Sequence, residues 1–91
     1  MVISRDDVAR GVVEILRKLA PIPVSKPLNE ETDPIVGLGL ESEDGLDFAC
    51  EISERFGFHF PDDKNPFVDD AGHRSRRVGE IIDLISPMLP R

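Results

Sequence analysis

The chain has 91 residues, 18 acids against 11 Lys plus Arg, and a formal net charge of −7. That length suits one small domain over residues 1–91, with a modest core and no deep enclosed substrate pocket. The acidity, with no Trp or Tyr and only five Phe, argues against nucleic acid and anionic lipid surfaces and favours protein partners with basic patches.

The first predicted helix runs from about Asp6 to Leu19, with Val8, Val12, Ile15, Leu16 and Leu19 on one face. Ser4 supplies a capping hydroxyl, and Asp6 and Asp7 suit the positive end of the helix dipole. Pro21 and Pro23 stop the helix. Residues 20–40 read as a long connection punctuated by Pro27, Pro34, Gly37 and Gly39. It holds at most a helical turn at Asn29–Thr32, and Leu28, Ile35, Val36, Leu38 and Leu40 pin it to the core. Connections this long in a compact domain are often functional.

The second long helix is expected from about Glu43 to Phe56, ended by Gly57. At 100° per residue, Leu46, Phe48, Ala49, Cys50, Ile52 and Phe56 share the apolar arc. Glu43, Asp44, Asp47, Glu51 and Glu54 share the opposite face, with only Arg55 nearby. Like charges on a helix surface cost a few tenths of a kcal/mol per pair, so such a face serves solubility or docking. Residues 41–70 hold ten acids and two bases, so the acidic excess of the whole chain sits there.

Phe58-His59-Phe60-Pro61 follows as an extended stretch that drops Phe58 or Phe60 into the core. Residues 62–77 read as polar and irregular, with a helical turn at Phe67–Val68 and a basic cluster of Arg74, Arg76 and Arg77. A last helix starts at about Arg76, with Val78, Ile81, Ile82 and Ile85 on one face, and Pro87 and Pro90 close the chain. There are no internal repeats, and no strand is predicted. The fold class is a small all-α bundle of three main helices plus one short helix, with a long first loop.

Cys50 stands alone, which excludes an internal disulfide and suggests a reducing, cytoplasmic setting. Its place on the apolar arc predicts a buried structural thiol. The stretch Met1-Val2-Ile3-Ser4-Arg5 lacks the pattern of a secretory signal, and no apolar run nears the roughly 18 residues of a membrane span. Asp69, Asp70 and His73 match no calcium-loop spacing and read as solvated loop charges. His59 reads as a surface or half-buried residue. Ser42, Cys50, His59 and His73 show no triad spacing for a small hydrolase. The Arg cluster sits unfavourably at a helix start, which points to an acidic partner or to contact with the acidic stripe.

Ser42 carries the most chemistry. Followed by Glu43 and Asp44, it has the pattern of an ordinary helix N-cap. Its hydroxyl is also placed to be esterified by a phosphate-linked arm near the helix amides. The two readings are compatible.

The segment Leu38-Gly39-Leu40-Glu41-Ser42-Glu43, the acidic helix, and Phe56-Gly57-Phe58-His59-Phe60-Pro61 together resemble the acyl carrier protein family. That family carries a Leu-Gly-x-Asp-Ser-Leu segment, an acidic helix and a Phe-Gly before an x-Ile-Pro ending. The spacing from serine to proline agrees without a gap, and Val78–Ile85 resembles the family's closing helix. The resemblance implies a monomeric carrier and no enzyme, with 4′-phosphopantetheine attached to Ser42. It makes Glu41, Glu43, Asp44, Asp47, Glu51 and Glu54 the surface for a phosphopantetheinyl transferase and for acyl-activating or acyl-transferring enzymes. No metal is implied. Glu41 replaces the family's Asp, Glu43 replaces its Leu, and extra residues follow Pro61, so a specialised member is expected. The alternative is an unmodified carrier-like interaction module that uses the same acidic helix.

Overall fold

The computed structural model describes residues 3–24 and 26–89. Met1 and Val2 of the opening stretch, and Pro90 of the expected chain closure, lie outside the described residues.

Helix α1 spans Arg5–Leu19. Ser4 Oγ accepts from the Asp7 amide at 3.1 Å, and the Asp7 carboxylate accepts from the Ser4 amide at 3.3 Å. This reciprocal cap satisfies two otherwise unpaired donors, and such a cap is worth about 1 kcal/mol. Helix α1 buries Val8, Val12, Ile15 and Leu16, as its periodicity predicts.

The connection to the next long helix contains a short one, α2, at Pro34–Leu38. The sequence reading allowed a helical turn at Asn29–Thr32. That site forms only one turn, with the Thr32 amide donating to the Asn29 carbonyl at 3.1 Å. The short helix forms later because Asp33 accepts from the Ile35 and Val36 amides at 2.9 and 3.1 Å. Pro34 in the first turn needs no donor. Gly39, at φ 74°, ends α2 in the left-handed conformation that glycine adopts without strain. Gly37, one of the residues expected to punctuate the connection, lies within this helix.

Helix α3 spans Asp44–Phe56 and helix α4 spans Val78–Ile85, followed by a 3₁₀ turn at Ser86–Met88. Helix α1 packs against both α3 and α4. Leu16, Phe48, Ile52, Ile81, Ile82 and Ile85 are among the largest fully buried side chains. Helix α4 begins two residues later than expected because Arg77 holds an extended backbone and Arg76 before it is bonded elsewhere. The Arg76 amide donates to the Phe67 carbonyl at 2.8 Å, beside a lone antiparallel bridge between Val68 and Ser75. The Val78 and Gly79 amides then donate to the Thr32 and Glu30 carbonyls at 2.8 and 2.9 Å. The first connection thereby satisfies two of the free donors at the start of α4.

Residues 61–77 form an ordered loop with its own core residue. Phe67 is fully buried and meets Phe48 of α3 at a centroid distance of 5.3 Å. The expected turn at Phe67–Val68 forms between Asn65 and Val68 and leads directly into the bridge. Phe60 is buried, and Phe58 is half-buried against the core.

The basic cluster is consumed within the molecule, though not by the acidic stripe of α3. Arg74 pairs with Glu80 at 2.6 Å, Arg76 with Asp70 at 3.0 Å and Arg77 with Glu31 at 2.7 Å. The stripe lies along another helix, whereas Glu80 and Glu31 flank the start of α4.

Candidate functional site

Ser42 lies in the turn between α2 and α3, and its side of the turn faces solvent. Successive backbone bonds build this turn: the Asp44 amide donates to the Glu41 carbonyl at 3.0 Å and the Gly45 amide to the Ser42 carbonyl at 3.1 Å. The expected serine cap is not formed. The residue at the cap position is Glu43, in helical conformation and without a side-chain cap bond. Asp44 supplies the local bond instead, its carboxylate accepting from the Glu41 amide at 2.8 Å. Among the described residues, the Ser42 hydroxyl has no hydrogen-bond partner, and the residue is exposed.

A second element grips the same turn. Asn65 Nδ2 donates to the Ser42 carbonyl at 2.9 Å, while Asn65 Oδ1 accepts from the Phe67 amide at 2.8 Å. Gly45 makes room for it, since a Cβ there would lie 2.2 Å from Asn65 Oδ1. Ser42 and the loop from Asp63 to Gly72 line a cleft of about 480 Å³. Across this loop Lys64 and Arg76 both pair with Asp70, at 3.1 and 3.0 Å. The Lys64 hydrogen bond, aided by Arg76, holds the Asp70 carboxyl below the usual carboxylate range. Nothing in the sequence pattern marks Asn65. The Asn-Pro pair reads only as a turn, and its partner is a distant backbone carbonyl.

The acidic residues of α3 divide into two groups. Glu41, Glu43, Asp47 and Glu54 are exposed and, among the described residues, have no ion-pair partner. Asp44 and Glu51 are half-buried and engaged, Asp44 with the Glu41 amide and Glu51 with Lys18 of α1 at 2.6 Å. Arg55, the one base the sequence reading placed beside the stripe, turns to Glu14 of α1.

The apolar arc of α3 is narrower than the helical wheel implies. Gly45, Phe48 and Ile52 are buried, but Leu46 is 65% exposed and Cys50 is exposed rather than a buried thiol. Leu46 and Cys50 sit one turn apart on an exposed flank of the helix. They line a cleft of about 490 Å³ with Ala49, His59, Pro61 and Lys64. Cys50 and His59 share this cleft, but no hydrogen bond joins them among the described residues, so no nucleophile–base pair forms. His59 is exposed, 3.6 Å from Asp62. Among the described residues there is no cluster of three or more His, Cys, Asp or Glu that could hold a metal. Asp69 and Asp70 are instead bound by the amides and basic side chains of their own loop.

The described residues thus place an unbonded hydroxyl at the head of an acidic helix in a small helical bundle. The chain is similar to the mitochondrial acyl carrier protein of Saccharomyces cerevisiae, at 28% identity over 87 residues. The match covers 92% of this chain, which spans 64% of that relative's length. No family model matches, and no solved structure matches. With the all-helical architecture, this likeness supports a distant relationship to the acyl carrier protein family. Among the described residues no helix is long and apolar enough to cross a membrane.

Proposed function

We propose that this protein is an acyl carrier and not an enzyme, with Ser42 the attachment point for 4′-phosphopantetheine. The observation that carries the reading is the Ser42 hydroxyl, exposed and unbonded on the turn that opens α3. In the loading step, Ser42 Oγ attacks the β-phosphorus of coenzyme A. A new phosphate ester forms, adenosine 3′,5′-bisphosphate leaves, and the transferase takes the hydroxyl proton. Once attached, the arm supplies a terminal thiol that holds acyl groups as thioesters. The arm also keeps its cargo at high effective concentration beside successive partner enzymes.

Glu43, Asp47 and Glu54, with Glu41 on the preceding turn, supply a negative surface free to meet basic patches. Glu51 and Asp44 contribute less charge, being already engaged. Leu46 and Cys50 add an apolar flank to the same surface. Such docking is steered by charge and weakens with salt. Partners are a phosphopantetheinyl transferase and acyl-activating or acyl-transferring enzymes, met by a monomer in a reducing compartment such as the cytoplasm. The similar yeast protein is, by its name, mitochondrial.

The test is incubation of the apo protein with coenzyme A and a broad-specificity transferase, followed by intact mass measurement. A gain of one phosphopantetheine that Ser42→Ala abolishes is the expected result. No gain with several transferases contradicts the reading. A second reading, an unmodified interaction module, is favoured by Glu43 at the position after the serine. In that case Ser42→Ala leaves partner binding intact, whereas Asp47→Lys abolishes it.

A further inference from the structure

We infer that Asn65 is a positioning residue for Ser42: it clamps the turn carrying the hydroxyl to the 61–77 loop and fixes the direction in which the hydroxyl is presented. This rests on the reading of Ser42 as the loading site.

The two ends of the Asn65 amide do different work. The oxygen accepts from the Phe67 amide and shapes the loop itself. The nitrogen donates to the Ser42 carbonyl, 23 residues away in sequence. That carbonyl already accepts from the Gly45 amide, so the Asn65 bond adds no helix closure. It adds a second direction of restraint on the peptide unit that follows Ser42. The loop end of the clamp is rigid, because Phe67 two residues on is buried in the core against Phe48. The turn end is built to receive it. Gly45 is buried, and any side chain there would collide with Asn65. Glycine is a weak helix former, and the approach of Asn65 explains its presence here. On the other side of the turn, Asp44 ties down the Glu41 amide. Ser42 is therefore held by its own carbonyl and by the residue before it, while its hydroxyl is left free.

The group transfer needs the oxygen in line with the phosphorus, and errors of an ångström in such geometry cost orders of magnitude in rate. A clamp that acts through the Ser42 backbone changes that alignment without touching the exposed acids used for docking. Its loss is therefore read in kcat for loading, with KM for the carrier unchanged.

Asn65→Asp separates the two roles, since it keeps the acceptor for Phe67 and puts an oxygen that cannot donate against the Ser42 carbonyl. We expect Asn65→Asp to lower kcat for phosphopantetheine transfer by about tenfold or more at unchanged KM, with the circular dichroism spectrum retained. Gly45→Ala is expected to lower kcat similarly by displacing Asn65. Adding Asn65→Ala to Gly45→Ala relieves the collision but does not restore kcat. Wild-type kinetics for Asn65→Asp overturn the clamp and leave the carrier reading intact. A rise in KM alone also overturns it, by assigning Asn65 to docking. Failure of the wild-type protein to load refutes the carrier reading itself, and with it any role of Asn65 in loading.

Discussion

Glu80 shows how much a single carboxylate holds together in this molecule. It accepts from Arg74 through both oxygens, at 3.1 and 2.6 Å, and from the Arg77 amide at 3.1 Å. The Arg74 bonds, then the amide, hold its pKa down to about 2 from the ordinary 4.5. A carboxyl lowered by folding stabilises the folded state above its unfolded pKa, and that gain is lost as pH falls toward the folded value. Glu80→Gln is therefore less stable than wild type at pH 7, and the gap closes between about pH 4.5 and pH 2. Urea titrations of both proteins across that range check it, and a gap independent of pH contradicts it. Asp33 behaves alike for a different reason. Burial pushes its carboxyl up, but bonds from Ser75 and from the Val36 and Ile35 amides outweigh burial and hold it low. At this scale the place of Ser42 at the head of α3 was legible, because a serine before an acidic amphipathic segment is a local pattern, but the cap expected of it is not made. Its clamp was not legible, because Asn65 acts on a backbone carbonyl through a contact that only the fold creates. Cys50 and Leu46 were misplaced because the helical wheel locates the apolar side but not how much of it the neighbours cover.

The three long helices were legible as elements because each carries an uninterrupted stripe of aliphatic residues at helical spacing. Helix α2 was not, since five residues give no periodicity and its Pro and Gly read as loop markers. In fact Asp33, Pro34 and Gly39 are its start and stop signals. The start of α4 was shifted for a related reason. Arg76 satisfies its amide with the Phe67 carbonyl, a tertiary bond invisible in sequence. Residues 62–77 read as a polar, irregular segment with one helical turn at Phe67–Val68, and nothing local showed that Phe67 is fully buried in the core. Phe67→Ala removes a fully buried aromatic and is expected to cost about 3–5 kcal/mol, read as a lowered denaturation midpoint. A loss below about 1 kcal/mol would mean the loop is an appendage and not part of the fold. The docking of the first connection onto α4 has its own check. A Cβ at Gly79 would lie 2.9 Å from the Glu30 side chain and 3.2 Å from its carbonyl. Gly79→Ala is therefore expected to destabilise by about 1–3 kcal/mol despite alanine's better helix propensity.

Across the whole molecule, charge is sorted by use. Glu80, Asp70 and Glu31 are matched by Arg74, Arg76 and Arg77, and Arg5 binds Glu30 and Asp83 together. The acids of α3 that face outward are left without such partners, so the net negative charge is concentrated beside Ser42. The sequence exposed that asymmetry as a charged block, but only the fold distinguishes the free acids from Glu51 and Asp44. The most direct measurement is fragmentation mass spectrometry of the protein after reaction with coenzyme A and a transferase. The predicted result is one phosphopantetheine on the peptide containing Ser42 and on no other serine. An unmodified Ser42, or an arm attached elsewhere, would contradict the carrier reading.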